Sequence, residues 1–216
     1  MNVFIVDDHP LTVIGYMTCL KNVNCVTPIN FIKAYNCQEG YTAINAAATE
    51  QHFDLAIVDE GLPDYKEENL CSGSDLALLI RKRMPACKIL IITAHTEILI
   101  IYEIFKKIKP EGLLTKSDIT AENLPLITVD ILSGKTFQSV TVKKNIQEIW
   151  KKELMIDDAN RQILLHLAIG YKVKELPQLM PLSISPIQRR IAQMKKAFGV
   201  DEASSLVKEA KLQGYI

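Results

Sequence analysis

The chain has no run of ~18 consecutive apolar residues. It also lacks a Cys-x-x-Cys pair, a Gly-x-Gly-x-x-Gly loop and a basic, apolar leader, since MNVFIV leads straight into Asp7 and Asp8. These absences argue against a membrane-spanning helix, a structural zinc site, a dinucleotide fold and a secretory signal. The expected setting is cytoplasmic, with no membrane partner. The five cysteines (Cys19, Cys25, Cys37, Cys71, Cys87) are odd in number, which suits a reducing compartment, and packing is the expected reason for each. SGKT at 133–136 ends like a phosphate-binding P-loop, but Val129 stands where the first glycine belongs.

Net charge is missing too, with 25 Lys and Arg against 25 Asp and Glu. The balance is uneven along the chain. Residues 1–132 carry 11 basic and 17 acidic side chains (net −6), 133–150 carry a net +2, and 151–216 carry 11 and 7 (net +4). An acidic front joined to a basic back points to a back module that meets nucleic acid or another acidic partner. At 216 residues with 48% hydrophobic and 23% charged, the composition is globular and allows one large domain or two small ones.

In the front part, apolar runs recur at VFIV (3–6), FIKAY (31–35), LAIV (55–58), ILII (89–92) and LL (113–114). Between them the spacing is helical, as in Leu76, Leu79, Ile80, Met84 and in Ile98, Ile101, Phe105, Ile108. Strands apolar on both faces that alternate with helices specify a doubly wound α/β domain, here a parallel sheet of about five strands. In such sheets the site lies beyond the carboxyl ends of the strands. The residues found there are Asp7 and Asp8, Asp59, Thr93 and Lys116. One strand-end Asp is commonly a helix cap, but that role does not account for all five at four strand ends. Three neighbouring carboxylates need a cation, and hard oxygen donors suit Mg²⁺. A carboxylate beside Mg²⁺ can take a phosphoryl group, with lysine and a hydroxyl holding the transferred oxygens.

VFIVDDHP (3–10), FDLAIVDEGLP (53–63), ILIITAH (89–95) and EGLLTK (111–116) resemble, in order and spacing, the receiver domain of bacterial two-component response regulators. The resemblance spans residues 1–132. It implies that Asp59 is the phosphoacceptor, that Asp7, Asp8 and the Gly61 carbonyl join it in holding Mg²⁺, that Thr93 is the switch hydroxyl, and that Lys116 binds the phosphate. DDHP is typical of the NarL/LuxR subfamily, whose output is a helix-turn-helix; His9 itself is expected to be tucked in at the strand end. Two departures stand out. DYKEENLCSGS (64–74) adds length beside the phosphorylation site, and Leu113 stands where the family usually has an aromatic residue. On the helix after Thr93, Leu99 and Ile100 fall off the buried stripe, a candidate dimer or interdomain surface.

A helix over 121–132 should close the first domain, with Gly134 as its C-cap. Residues 133–155 read as a linker, with helical character from Lys143. From 156 to 216 the pattern is four short helices. They are too small for a catalytic cleft and suited to presenting one helix. In the third, Ile187, Ile191, Met194 and Phe198 form an apolar stripe; Ser185, Arg189, Gln193 and Lys196 lie opposite, flanked by Gln188 and Arg190. Such a helix suits the major groove, with cations on phosphates and Gln or Arg on base edges. Residues 156–216 resemble the LuxR-type helix-turn-helix, GYKVKELPQLMPLSISPIQRRIAQMKKAFGV following its pattern without a gap. The resemblance adds Lys174 to the DNA-contact set, with Ile187–Phe198 as most of the recognition helix. It offers Leu206, Val207 and Ala210 as dimer contacts. Pro177 places a late start on the scaffold helix.

The expected function is therefore a non-enzymatic response regulator. A sensor histidine kinase phosphorylates Asp59, and this controls sequence-specific DNA binding, with a homodimer as the active form. The rival is a receiver-type interaction module regulated by dimerisation and not by phosphorylation. A phosphohydrolase using Asp59 is weaker, since a second Asp two residues on is missing and Gly61 stands there.

Overall fold

The structure is a computed structural model and is described for residues 1–21, 28–49 and 52–216. It divides into two compact units, Met1–Lys143 and Lys144–Ile216.

The first unit is built on β1 (Asn2–Val6), β2 (Asn30–Ala34), β3 (Leu55–Asp59), β4 (Lys88–Thr93) and β5 (Gly112–Thr115), with a two-residue β6 (Phe137–Gln138). All pair in parallel, in the order β2-β1-β3-β4-β5-β6. The doubly wound sheet is as expected, but it has six strands among the described residues where five were expected. The sixth forms through its backbone: Phe137 N–H donates to the Glu111 carbonyl at 2.7 Å and Ser139 N–H to the Leu113 carbonyl at 3.1 Å.

Helices α1 (Pro10–Lys21), α2 (Cys37–Thr49), α3 (Gly73–Arg83), α4 (Ile98–Ile108) and α5 (Asn123–Leu132) link the strands. Every residue of β3 and β5 is buried, which is why these strands read as unbroken apolar runs. Ile5, Leu55, Ile57, Leu90, Ile92 and Leu114 form the centre of a core closed by Val13 and Leu20 of α1 and Leu124, Ile127 and Ile131 of α5. Gly134, at φ +92°, ends α5 in the left-handed region, where a side chain would be strained. Arg81 at the end of α3 forks onto Glu111, Nη1 to Oε1 at 3.0 Å and Nη2 to Oε2 at 2.6 Å, while the Ile89 N–H donates to Oε2 at 2.9 Å. This ties α3 to the entries of β4 and β5. Cys37 and Cys87 are packing residues, but Cys71 is exposed, contrary to expectation, because it lies in the added loop. Cys25 lies outside the described residues.

Helix α6 (Val140–Ile156) occupies most of the stretch that composition marks as a linker, and the unit boundary falls within it. The second unit continues with α7 (Asp158–Ile169), a 3₁₀ segment (Val173–Gln178), α8 (Ile184–Phe198) and α9 (Ala203–Leu212). The expected scaffold helix is thus a 3₁₀ segment, with Pro177 inside it. Proline has no N–H to continue an α-helical ladder. Ile163, Leu164, Leu176, Ile187, Ile191, Met194 and Phe198 make the core of this unit, joined by Leu206 and Ala210. These last two are fully buried, so the expectation that they form a dimer contact is corrected: α9 spends them on its own core. Among the described residues no helix is long and apolar enough to cross a membrane.

Candidate functional site

The strand order reverses between β1 and β3, and the residues ending these strands face the crevice that the reversal opens. Asp59 ends β3, and Asp7 and Asp8 follow β1. Asp7 is 1% exposed and Asp59 5%. Lys116, in the first turn after β5, reaches both: its Nζ lies 3.0 Å from Asp59 Oδ2 and 3.0 Å from Asp7 Oδ2. Burial pushes the Asp59 carboxyl above the ordinary carboxylate range. Lys116 and the Gly61 N–H pull it down, and the charge of Asp7 pushes it up again. The Lys116 ammonium loses solvation through burial, but its contacts with Asp59 and Asp7 outweigh that loss and hold its pKa up. Burial, and then Asp7 and Asp59, also push up the phenol of Tyr16 on α1.

Asp59 Oδ1 is buried and accepts no hydrogen bond among the described residues. A buried oxygen with a free lone pair is costly unless a cation or donor completes it. Asp7, Asp8 and His9 place candidate ligand atoms within 4.8 Å of one another. This acidic pocket is typical of a Mg²⁺ site, and its oxygen donors fit such an ion. Gly61 borders it: a Cβ there would stand 3.8 Å from Asp59 Oδ2. His9 is not tucked in. It is exposed, and its Nδ1 leans on Asp8 Oδ1 at 2.6 Å and Asp7 Oδ1 at 3.4 Å. Thr93 is fully buried on the strand beside β3, one position past the partner of Asp59, and its Oγ1 accepts the His95 N–H at 3.0 Å. Leu113 is buried between β4 and β6.

The structure adds neighbours that the motifs did not reveal. Gly73 opens α3 against β3, and a Cβ there would fall 1.8 Å from the Asp59 carbonyl oxygen. Ser74 Oγ donates to Glu60 Oε2 at 2.6 Å. Their one sequence signal is Ser72 followed three residues later by Asp75, a helix-start pattern. Ser72 is indeed the N-cap of α3, accepting the Ser74 N–H.

In the second unit, α8 exposes Ser185, Gln188, Arg189, Gln193 and Lys196, and Lys174 is exposed on the 3₁₀ segment. The N-cap of α8 is Ser183, with Pro186 in its first turn. Arg190 is placed differently from the others: its Nη1 donates to Asp157 Oδ2 at 2.8 Å and to Asn160 Oδ1 at 3.0 Å, at the start of α7. That guanidinium, first among its neighbours, holds the Asp157 carboxyl below the usual range. Lys196 Nζ stands over the Trp150 ring, 5.8 Å from its centre.

A family profile described as "Response regulator receiver domain" matches residues 3–125. The transcriptional regulatory protein RcsB of Escherichia coli (strain K12) is 24% identical over 212 residues, covering 96% of this chain and 92% of that protein. RcsB from Salmonella enterica serovar Typhimurium, solved on the promoter rprA with the phosphomimetic BeF3-, superposes with a TM-score of 0.55 at 20% identity over 97% of both chains. A structure of two RcsB dimers bound to two parallel DNAs gives 0.58 at 22% identity over 98% of both. At these identities the solved structures establish a shared fold.

Proposed function

The chain belongs to the response regulator receiver domain family, and on that premise we propose that it is a cytoplasmic DNA-binding transcription regulator switched by phosphorylation of Asp59. Its family is one of regulators and not of enzymes, and its full-length relatives include a transcriptional regulatory protein. The observation that carries the reading is the arrangement at Asp59: a buried carboxylate with one oxygen bound to Lys116 and the other unpartnered.

The chemistry follows from that arrangement. Asp59 Oδ1 attacks the phosphorus of a phosphohistidine on a sensor kinase; the new O–P bond forms as the P–N bond breaks, and the leaving imidazole takes a proton. Lys116 already touches the carboxylate and can follow the charge onto the phosphoryl oxygens, with the Thr93 hydroxyl beside them. Asp7, Asp8, Asp59 and the Gly61 carbonyl would hold Mg²⁺, which when bound offsets the negative charge of the phosphoryl group. The phosphorylated state must then favour one receiver conformation over another by differential binding energy. The output is DNA binding by Lys174, Ser185, Gln188, Arg189, Gln193 and Lys196, with Arg190 bracing the recognition helix from behind.

The active form is a homodimer, the state in which RcsB is solved on DNA. Leu11 and Ile14 of α1 and Leu126 and Val129 of α5 are exposed apolar residues on two helices that pack together, and an isologous contact would bring such residues against their own copies. Leu99 on α4, 73% exposed, is the smaller alternative.

Incubation with acetyl phosphate and Mg²⁺ tests the reading. A mass increase of one phosphoryl group is expected in the natural chain and absent in Asp59→Asn; labelling that persists in Asp59→Asn overturns it.

A further inference from the structure

Glu60 puts a further carboxylate directly after Asp59 in the sequence, yet its side chain is turned to another set of partners. Ser74 Oγ donates to Glu60 Oε2 at 2.6 Å; burial pushes the Glu60 carboxyl up, and the hydroxyls of Ser74 and Ser72 and the Ser74 N–H act against that rise. On the backbone, the Gly73 N–H donates to the Glu60 carbonyl at 3.0 Å. These donors lie at the N-cap and in the first turn of α3, where the N–H groups and the helix dipole favour a negative charge.

The added loop is what delivers that turn. Tyr65 and Leu70 exchange backbone hydrogen bonds at 2.7 and 3.1 Å around a 3₁₀ turn at Lys66–Glu68, and Asn69 takes a left-handed conformation at φ 55°. The loop is therefore a closed hairpin-like unit that ends at the Ser72 cap. Only a glycine at 73 lets the start of α3 reach the Asp59 carbonyl, and that approach brings Ser74 to Glu60.

We infer that Ser74, seconded by Ser72, is a positioning residue that holds the Glu60 carboxylate away from the phosphoryl pocket. The inference rests on the reading that Asp59 is phosphorylated. An incoming phosphoryl donor is anionic, and Lys116 already faces two buried carboxylates. A free Glu60 one residue from Asp59 would add repulsion where charge must gather, and low local dielectric would strengthen it. Held at the end of α3, the same charge is kept out of the pocket by donors that partly offset the cost of its burial.

The test is the rate of Asp59 labelling by acetyl phosphate with Mg²⁺ in the full chain, compared among the natural protein, Ser74→Ala, Glu60→Gln and the double variant. Ser74→Ala is expected to label about three- to tenfold more slowly, the effect of one nearby charge, and Ser72→Ala to do the same to a lesser degree. Glu60→Gln, which has no charge to misplace, should label at the natural rate, and adding it to Ser74→Ala should restore that rate. A purely structural role for Ser74 would leave the double variant slow, and that result overturns the inference. So does natural-rate labelling in both serine variants. If Ser74→Ala does not fold, Ser72→Ala and its double variant with Glu60→Gln decide by the same comparison. A natural chain that takes no label at Asp59 refutes the phosphorylation reading itself, and this inference with it.

Discussion

Lys116 Nζ lies 3.0 Å from Asp59 Oδ2, and the same ammonium stands 3.0 Å from Asp7 Oδ2. One partly exposed cation thus serves two buried acids. Replacing it by an apolar residue of similar length, Lys116→Met, leaves both carboxylates without a counter-charge. A stability loss of about 2–3 kcal/mol is expected in urea unfolding without divalent cations, below the full cost of breaking a wholly buried pair. Adding Mg²⁺ should recover part of it.

Asp59 behaves in the opposite sense. Its folded-state pKa is raised, mainly by burial, so the folded state binds its proton more tightly than the unfolded chain does. The associated stability is present below the unfolded value of about 3.9 and is lost as pH rises through the raised value. Asp59→Asn removes that burden. Its melting temperature without divalent cations should exceed the natural one at pH 7, and the gain should shrink as pH falls toward 4. A gain independent of pH would show that the carboxylate charge is not its source.

Glu111 has the contrary linkage. Burial works to raise it, but the hydrogen bonds from Arg81 and the Ile89 N–H outweigh that and hold its carboxyl down. Its contribution is present above the unfolded value of about 4.3 and is lost as pH falls through the lower folded value. Arg81→Ala leaves the carboxylate partly buried and unpaired, and should cost about 2–3 kcal/mol at neutral pH. The cost should diminish in acid, and a urea midpoint series from pH 7 to 3 reads it.

The strands were legible because β1, β3 and β4 are buried on both faces and so spell out uninterrupted apolar runs. Asp7, Asp59 and Thr93 were legible for the same reason: each is the first polar residue where such a run stops. What escaped the sequence depends on contacts between distant segments. Two residues, Phe137 and Gln138, carry no periodicity, and β6 exists only because the β5 edge offers its backbone. The stacking of Gly73 on the Asp59 carbonyl is invisible until α3 is placed. Leu206 and Ala210 were apolar positions on a short helix, a pattern equally compatible with core and interface; burial decides for core. Arg190 read as a groove residue from its charge and its place flanking the outward face of the helix, whereas Asp157 and Asn160, thirty or more residues earlier, hold it.

Gly73→Ala should be among the more harmful single-methyl changes in the chain. Its Cβ would fall on the Asp59 carbonyl oxygen, so strand end or helix must move. Overpacking of this kind costs about 1–3 kcal/mol. Thermal unfolding reads that cost, and acetyl phosphate labelling reads the displacement of Asp59.

Arg189 and Arg190 should separate by role. Arg190→Ala should lower the melting temperature of the second unit, because it removes the bond to Asp157 and Asn160. Arg189→Ala, exposed on α8, should leave melting unchanged. If Arg189 meets a phosphate, its loss should reduce the salt slope of DNA binding by about one. Equal effects of the two changes on melting would contradict the assignment.

In the proposed function, phosphate on Asp59 controls DNA binding by the basic unit. Selection from a random DNA pool, run on the natural chain and on Asp59→Asn with and without acetyl phosphate, tests it most directly. Strong enrichment of a paired half-site sequence is expected from the natural chain with the phosphoryl donor, and weak enrichment from Asp59→Asn under the same conditions. No enrichment in any arm, or equal enrichment by both proteins with the donor present, would contradict it.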